Sequence, residues 1–319
     1  MTTTPLVSVI CLCYNHARFV QQAIESVIGQ TYANIQLIVV DDASTDNSVE
    51  IIKKVTARCN SVEHLFLSEN LGNCKAFNKG FALAKGKYVF DFATDDVLVP
   101  DRIEKQVTCF EKLGQTYGVV FTDAEYIDEE NRFVRNHYEY LFRKKLLNYV
   151  PQGDVFSFII RRYFVASPTM MVRKSVLDEL NGYDENLSYE DFDFWVRSAR
   201  ICQYAFLNEK LTKIRLSKSS MSTGWYQRGD KQVHSTYLVC LKLTKLVQQP
   251  DEKESLLVRI RYELRQCTLS HNTNEALLFY NLLKELQGLR PVDRIWLLIL
   301  KSGIPVAWLR ALYHRLRFS

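Results

Sequence analysis

The stretch that decides the fold is residues 88–100, YVFDFATDDVLVP. An aromatic and β-branched run stops at two adjacent aspartates, Asp95 and Asp96, and apolar residues resume before Pro100. Side-by-side carboxylates repel each other unless a cation sits between or beside them. The pattern predicts a buried strand whose carboxyl end carries a place for positive charge.

Upstream, the same construction recurs. Residues 7–13, VSVICLC, read as a buried strand that runs into Tyr14 and Asn15. Residues 35–40, IQLIVV, read as a second strand that runs into Asp41 and Asp42. A short third strand is expected over 64–68, and the quoted run is the fourth. Helices are expected between them. Phe19, Ala23 and Val27 share a face with Val20, Ile24 and Ile28. The capping cluster Ser44-Thr45-Asp46 precedes Val49, Ile52 and Val55, and the turn 70–73 precedes Ala76, Phe77, Gly80, Phe81 and Ala84. Strands alternating with helices at this spacing predict an α/β fold with a mostly parallel or mixed central sheet flanked by helices. In such sheets ligands bind beyond the carboxyl ends of the strands. Three polar pairs therefore converge on one edge.

Beyond Pro100 a helix is expected through Ile103, Val107 and Phe110, then strands over 118–128 and 168–172. Residues 129–165 are aromatic and basic, and no element is assigned there. The turn Asn181-Gly182 leads into 183–200, which ends in a helix. From about residue 230 helical periodicity dominates, with three or four helices expected, the last at 305–318. The expected domains are 1–228, with halves of about 1–100 and about 101–228 that the resemblance named below makes the nucleotide-binding and acceptor halves of a catalytic domain, and 229–319, helical.

Hydrophobic residues make up 47% of the 319 and charged ones 24%, which excludes a disordered chain. A net charge of +5 is too mild to argue for nucleic acid. The eight cysteines form no CxxC pair and sit mostly in apolar runs, as buried thiols of a reducing compartment do. No signal peptide, membrane-length apolar run, GxGxxG or GxxxxGK[ST] loop is found. A cytoplasmic protein is expected. The segment 305–318 is basic and amphipathic, so it suits either an anionic membrane surface at the inner face or packing on the domain.

Adjacent aspartates at a strand end suit a hard divalent ion, Mn2+ or Mg2+, that shares oxygen ligands with a substrate diphosphate. Asp41-Asp42 supplies a second acidic position about one nucleoside away on the same edge. A carboxylate there would accept from the N3–H of uracil, and Tyr14 would stack on the base.

The ordered motifs VSVICLCYNH, VVDDASTDNS, ENLGNCKAFNKGFALAKGKYVFDFATDDVLVP and GYDENLSYEDFDFWVRSAR resemble the inverting family 2 glycosyltransferases, over about residues 5–225. The resemblance implies the glycosyltransferase-A fold. It implies a nucleotide site of Tyr14, Asn15, Asp41, Asp42 and Asp95, with Lys75 at the phosphates and Asp96 as the main protein ligand of the metal. It implies Asp191 as the catalytic base, with Glu190 and Arg102 toward the acceptor or donor sugar, while Tyr138, Tyr140 and Phe142 of the aromatic stretch suit either stacking on a sugar ring or packing in the core. The partners implied are a nucleotide sugar, UDP-linked above all, and a glycan or lipid-linked glycan acceptor of surface polysaccharide synthesis. Three positions depart from the family pattern. Ala93 stands where an extra aspartate is common, Phe77 where an arginine is frequent, and Ser217 where a histidine would be. Without QxxRW or membrane helices, single addition is expected rather than processive synthesis. Two competing readings are a nucleotidyltransferase, which lacks its glycine- and basic-rich loop here, and a non-catalytic nucleotide-sugar or glycan binder.

Overall fold

A computed structural model describes residues 4–59, 61–217 and 226–302. The chain divides into two compact units. The first is Met1–Val155, Phe164–Asn186 and Asp193–Ser217; the second is Phe156–Tyr163, Leu187–Phe192 and Lys218–Ser319.

The first unit is built on a nine-stranded mixed sheet. Its strands are β1 (Val7–Cys13), β2 (Ile35–Asp41), β3 (Val62–Phe66), β4 (Tyr88–Ala93), β5 (Val97–Leu98), β6 (Tyr117–Ile127), β7 (Phe133–Asn136), β8 (Met171–Arg173) and β9 (Gln203–Arg215). They lie in the order β3-β2-β1-β4-β8-β6-β9-β5, with β7 paired to β6. The four N-terminal strands are parallel, in the register Cys13↔Asp41 and Leu12↔Ala93. All of β1 is buried, which is why its sequence is continuously apolar rather than alternating. The helices α1 (Val20–Ile28), α2 (Ser48–Thr56), α3 (Asn73–Phe81) and α4 (Arg102–Lys112) make the crossovers. Each turns a stripe such as Val20, Ala23, Ile24 and Val27 inward. Gly80 is required where α3 meets the sheet, because a Cβ there would lie 2.7 Å from Ile10 Cγ2 and 2.9 Å from Val40 Cγ2.

The six expected strands are present, with a 3-10 turn, Ser167–Thr169, in place of the first part of the last. Three strands were not anticipated: β5, β7 and the thirteen-residue β9. The aromatic, basic stretch contains β7 and the helices α5 (His137–Arg143) and α6 (Phe156–Arg161). α7 (Lys174–Leu180) and α8 (Asp191–Ile201) follow β8.

The second unit is helical: α6, α9 (Lys231–Leu246), α10 (Pro250–Leu269), α11 (Thr273–Glu285) and α12 (Pro291–Ser302). Its interior holds a buried ion pair, Arg259–Glu263 at 3.1 Å. Arg259 also donates to the Ile160 carbonyl at 2.9 Å and lies over the Tyr163 ring at 4.1 Å. Tyr226 donates to Glu263 at 2.7 Å. These hydrogen bonds and the ring offset much of the cost of burying a charged pair in a helical core, with Arg259 Nη2 alone of the guanidinium left without a hydrogen-bond partner among the described residues. The expected helix at 305–318 lies outside the described residues. Among the described residues no helix is long and apolar enough to cross a membrane.

Candidate functional site

From β1 the chain moves outward through β2 and β3, then returns to pair β4 on the other side of β1. The β1/β4 boundary is therefore the switch point of the parallel part of the sheet, where a crevice opens beyond the strand ends. Tyr14, Asp42 and the Asp95-Asp96 pair all emerge at that edge, one to three residues past β1, β2 and β4.

Loop-to-loop hydrogen bonds hold them. The Asp42 amide donates to the Cys13 carbonyl at 2.8 Å, which sets Tyr14 beside Asp42. Asn15, in the left-handed region at φ 57, accepts from the Thr45 amide at 2.8 Å, and its own amide donates to Ser44 Oγ at 2.8 Å. The Ala17 amide donates to Asp46 at 2.9 Å and the His16 amide to Ser48 Oγ at 3.0 Å. The ring of Tyr14 is left 45% exposed, open to stacking. Asp42 accepts from the Leu71 and Gly72 amides, one on each oxygen, at 2.8 and 2.9 Å. Each oxygen keeps a second lone pair for a ligand N–H. Lys75 lies on the first turn of α3, next along the chain.

Asp41 departs from the expectation. It is 1% exposed, and its two oxygens accept from the amide and hydroxyl of Ser44 at 2.8 and 2.6 Å. It shapes the loop and does not present itself to a base.

The Asp95-Asp96 loop is anchored more heavily than its sequence indicates. Thr94 donates to the Leu12 carbonyl at 3.0 Å and meets His16 Nδ1 at 2.9 Å. The Arg215 amide donates to Asp96 Oδ1 at 2.8 Å. The Arg215 guanidinium donates to the carbonyls of Asp95 (2.8 Å) and Asp128 (2.9 Å), and to Gln22 and Asn131 (both 2.9 Å). It also lies over the Phe19 ring at 4.5 Å. Arg215 is the arginine of the Arg-x-His pattern in which Ser217 replaces the histidine, and the pairing of β9 with β5 and β6 brings it here.

Asp96 is 3% exposed. Burial, then the neighbouring Asp95, push its carboxyl well above the usual range, against the Arg215 amide and the Arg215 and Arg102 cations. A carboxylate so placed is short of positive charge, which a divalent ion would supply. Among the described residues no group of three or more His, Cys, Asp or Glu converges as a cage. The donor set fits an ion that takes one or two carboxylates from the protein and the rest from phosphate and water, as Mg2+ and Mn2+ do.

The structure buries two residues expected toward the sugar. Arg102 is fully buried, with its guanidinium 3.8 Å from the Phe90 ring centroid and bonded to Gln106 (2.9 Å) and Thr212 (2.6 Å). It is a core cation beside Asp96, out of reach of substrate. Tyr138 is 3% exposed and packs edge-on against Phe206, so it offers no face to a sugar. Phe77, at the position of the missing arginine, stacks on Tyr183 at 4.1 Å in the core. Ser217 is buried.

In the second unit, Ser188 donates its amide to Ser235 Oγ at 2.9 Å, and Tyr189 OH meets Thr236 Oγ1 at 2.7 Å. These bonds fix the segment that leads to Glu190 and Asp191, both half-buried. Asp191 opens α8. Within the first unit the body of α8 is pinned by Asp193–Arg197 (2.6 Å), with Arg197 donating to the Leu180 and Gly182 carbonyls at 2.9 and 3.0 Å.

The family model described as Glycosyl transferase family 2 matches residues 8–180. An uncharacterised glycosyltransferase of Rickettsia typhi is 31% identical over 220 residues, 67% of this chain and 65% of that protein. One of Rickettsia prowazekii is 30% identical over 214 residues, 67% of this chain and 64% of that protein. The chain thus spans just under two thirds of the length of these relatives. Among solved structures, S. aureus TarS 1–349 in complex with UDP matches with a TM-score of 0.70 at 17% identity, over 92% of this chain and 87% of that one. The mannosyltransferase PcManGT from Pyrobaculum calidifontis, in complex with GDP-Man and Mn2+, matches with 0.62 at 15% identity, over 96% and 87%. These likenesses bear on fold alone, and the fold is the glycosyltransferase-A architecture expected from the sequence.

Proposed function

The chain belongs to glycosyl transferase family 2, and from that membership we propose that it moves a sugar from a nucleotide diphosphate sugar, UDP-linked above all, to an acceptor hydroxyl in surface polysaccharide synthesis. The observation that carries this reading is the buried Asp96 at the switch point of the sheet, with Tyr14 and Asp42 at the neighbouring strand ends. Tyr14 stacks on the base, Asp42 accepts from its N–H, and Asn15 holds the loop between them. Asp95 lies toward the ribose and Lys75 toward the phosphates. Asp96 is the protein ligand of Mn2+ or Mg2+, which when bound neutralises charge on the departing diphosphate.

Asp191 is the general base. It takes the acceptor hydroxyl proton as that oxygen bonds to the anomeric carbon and the bond to the diphosphate oxygen breaks on the opposite face, so configuration inverts in one displacement. Glu190 adjoins it on the sugar side. Contact with a membrane surface and a lipid-linked acceptor is supported by α12, which exposes Val292 (48%), Ile295 (54%) and Leu298 (66%) beside Arg294 and Lys301.

The test is release of nucleoside diphosphate from a panel of UDP- and GDP-sugars with Mn2+, with and without EDTA, in cell-free membrane extract as the source of acceptor. One donor is expected to turn over, only without EDTA. Asp191→Asn is expected to lose transfer by a factor of at least about 100 while keeping UDP affinity, because general-base assistance contributes roughly 10²–10⁴-fold. A fully active Asp191→Asn enzyme would remove the residue from the mechanism.

A further inference from the structure

Next to the proposed metal carboxylate, β7 and the start of α5 carry polar groups that the mechanism above leaves unused. Across the sheet, Val97 pairs with Lys213, Ile214 with Tyr126, and Tyr126 with Arg135. Arg135 therefore stands in the same row as Asp96, three strand spacings away, or roughly 14 Å at about 4.8 Å each. That distance lies beyond one sugar held at Asp96 and within reach of a second.

The Arg135 guanidinium is clamped between two aromatic rings, 4.6 Å from the Tyr126 centroid and 4.1 Å from that of Tyr140. The Tyr126 hydroxyl is itself tied to His137 Nδ1 at 3.3 Å, and His137 Nε2 donates to the Phe164 carbonyl at 2.9 Å. The clamp is thus fixed from behind. Yet among the described residues Arg135 forms no ion pair, and its buried Nε–H has no hydrogen-bond partner. One more buried donor within three residues is also unpartnered, the Tyr138 hydroxyl. Buried polar atoms in native proteins nearly always find partners, so two orphaned donors in one turn call for an acceptor. An arginine whose rotamer is fixed by stacking, with its Nε–H unpartnered and no ion pair among the described residues, is a ready fork for a planar or tetrahedral oxyanion, and it offsets the buried Asp123 carboxylate that acts on the same Tyr126, His137 and Tyr138. Arg143, 5.9 Å from the same Tyr140 ring, adds a second positive charge.

We propose that Arg135, clamped by Tyr126 and Tyr140, binds an acidic group, phosphate or carboxylate, carried by the acceptor glycan. This rests on the glycosyltransferase reading for the word acceptor, but the oxyanion site itself stands on the β7–α5 geometry.

The test separates the two. Isothermal calorimetry of the full chain is run in EDTA, so that no metal can bind anion, with inorganic phosphate, glucose 6-phosphate, glucuronate and glucose. The wild type is expected to bind the anions and not glucose; preference for glucose 6-phosphate assigns a phosphate, preference for glucuronate a carboxylate. Arg135→Gln is expected to lose about ten- to a hundredfold in anion affinity, the usual size of a charged hydrogen-bond pair. Arg135→Lys keeps the charge and the stacking stem but not the fork, so it should weaken binding less, and circular dichroism reports the fold of both. The proposal is overturned if the wild type binds no anion, if glucose binds as well as its charged relatives, or if Arg135→Lys and Arg135→Gln both match the wild type. Because no donor or turnover is involved, a failure of the glycosyltransferase reading leaves this result standing, and the reverse.

Discussion

Replacing Arg215 with methionine tests whether the acidic loop is held from β9. Methionine keeps the packing on Phe19 and fills much of the same volume, so cavity formation contributes little. It removes the donors to four oxygens. Two of these, on the side chains of Gln22 and Asn131, belong to exposed residues and turn to water at little cost. The other two, the carbonyls of Asp95 and Asp128, lose a charged donor at 2.8 and 2.9 Å. The Asp128 carbonyl keeps the Asn131 amide at 3.1 Å, so one acceptor, the Asp95 carbonyl, is left without a donor, which puts the loss of stability at about 1–3 kcal/mol. There is a second, separable effect. Arg215 is one of the groups that hold the Asp96 carboxyl down against burial, and losing it moves that carboxyl further up. In its proposed role Asp96 would then hold a divalent ion less well. The Arg215 amide still donates to Asp96 in the variant, so the carboxylate stays in place and only its charge state changes. Urea unfolding measures the first effect and Mn2+-dependent UDP calorimetry the second. Arg215→Lys should fall between, since it restores charge without the fork. A methionine variant with the unfolding midpoint and the UDP affinity of the wild type would refute the account of the loop.

Two further perturbations have worked signs. Burial lowers the His137 pKa from its ordinary 6.5, so the folded ring stays neutral where the unfolded one protonates. Stability is then lost as pH falls from 6.5 toward the folded pKa, and His137→Gln, which can keep the bond to Phe164, should flatten the difference in urea midpoint between about pH 7.5 and about pH 5.5; an undiminished difference would discard this. Gly182 sits at φ +72 with the place of a Cβ 2.4 Å from Asn78 Oδ1, the atom that accepts the Tyr183 amide at 2.9 Å. Gly182→Ala combines left-handed strain with a broken clamp and should cost roughly 2–4 kcal/mol in unfolding experiments, with no measurable change ruling out the reading.

What the chain discloses locally and what it hides follow from how each part is made. A parallel strand covered on both faces must be apolar throughout, so β1, β2 and β4 announce themselves, and the polar residues that end them mark the ligand edge. β9 was missed for the opposite reason. Its charged residues Glu209, Lys210 and Lys213 interrupt the run, its burial does not alternate cleanly, and the register with β6 shifts along its length. With β9 unread, Arg215 had a motif but no partners, and Thr212, which draws Arg102 inward, had no address. Arg102 follows Pro100 and Asp101 at a helix start, where an exposed arginine is the ordinary expectation; only the Phe90 ring and Thr212 across the sheet explain its burial. The groups proposed to face substrate thus lie at strand ends and are written in short words, whereas the cations that set the charge of Asp96 come from positions fixed by pairings up to 120 residues apart. Chemistry at this edge is therefore open to change from β9 without touching a ligand-facing residue.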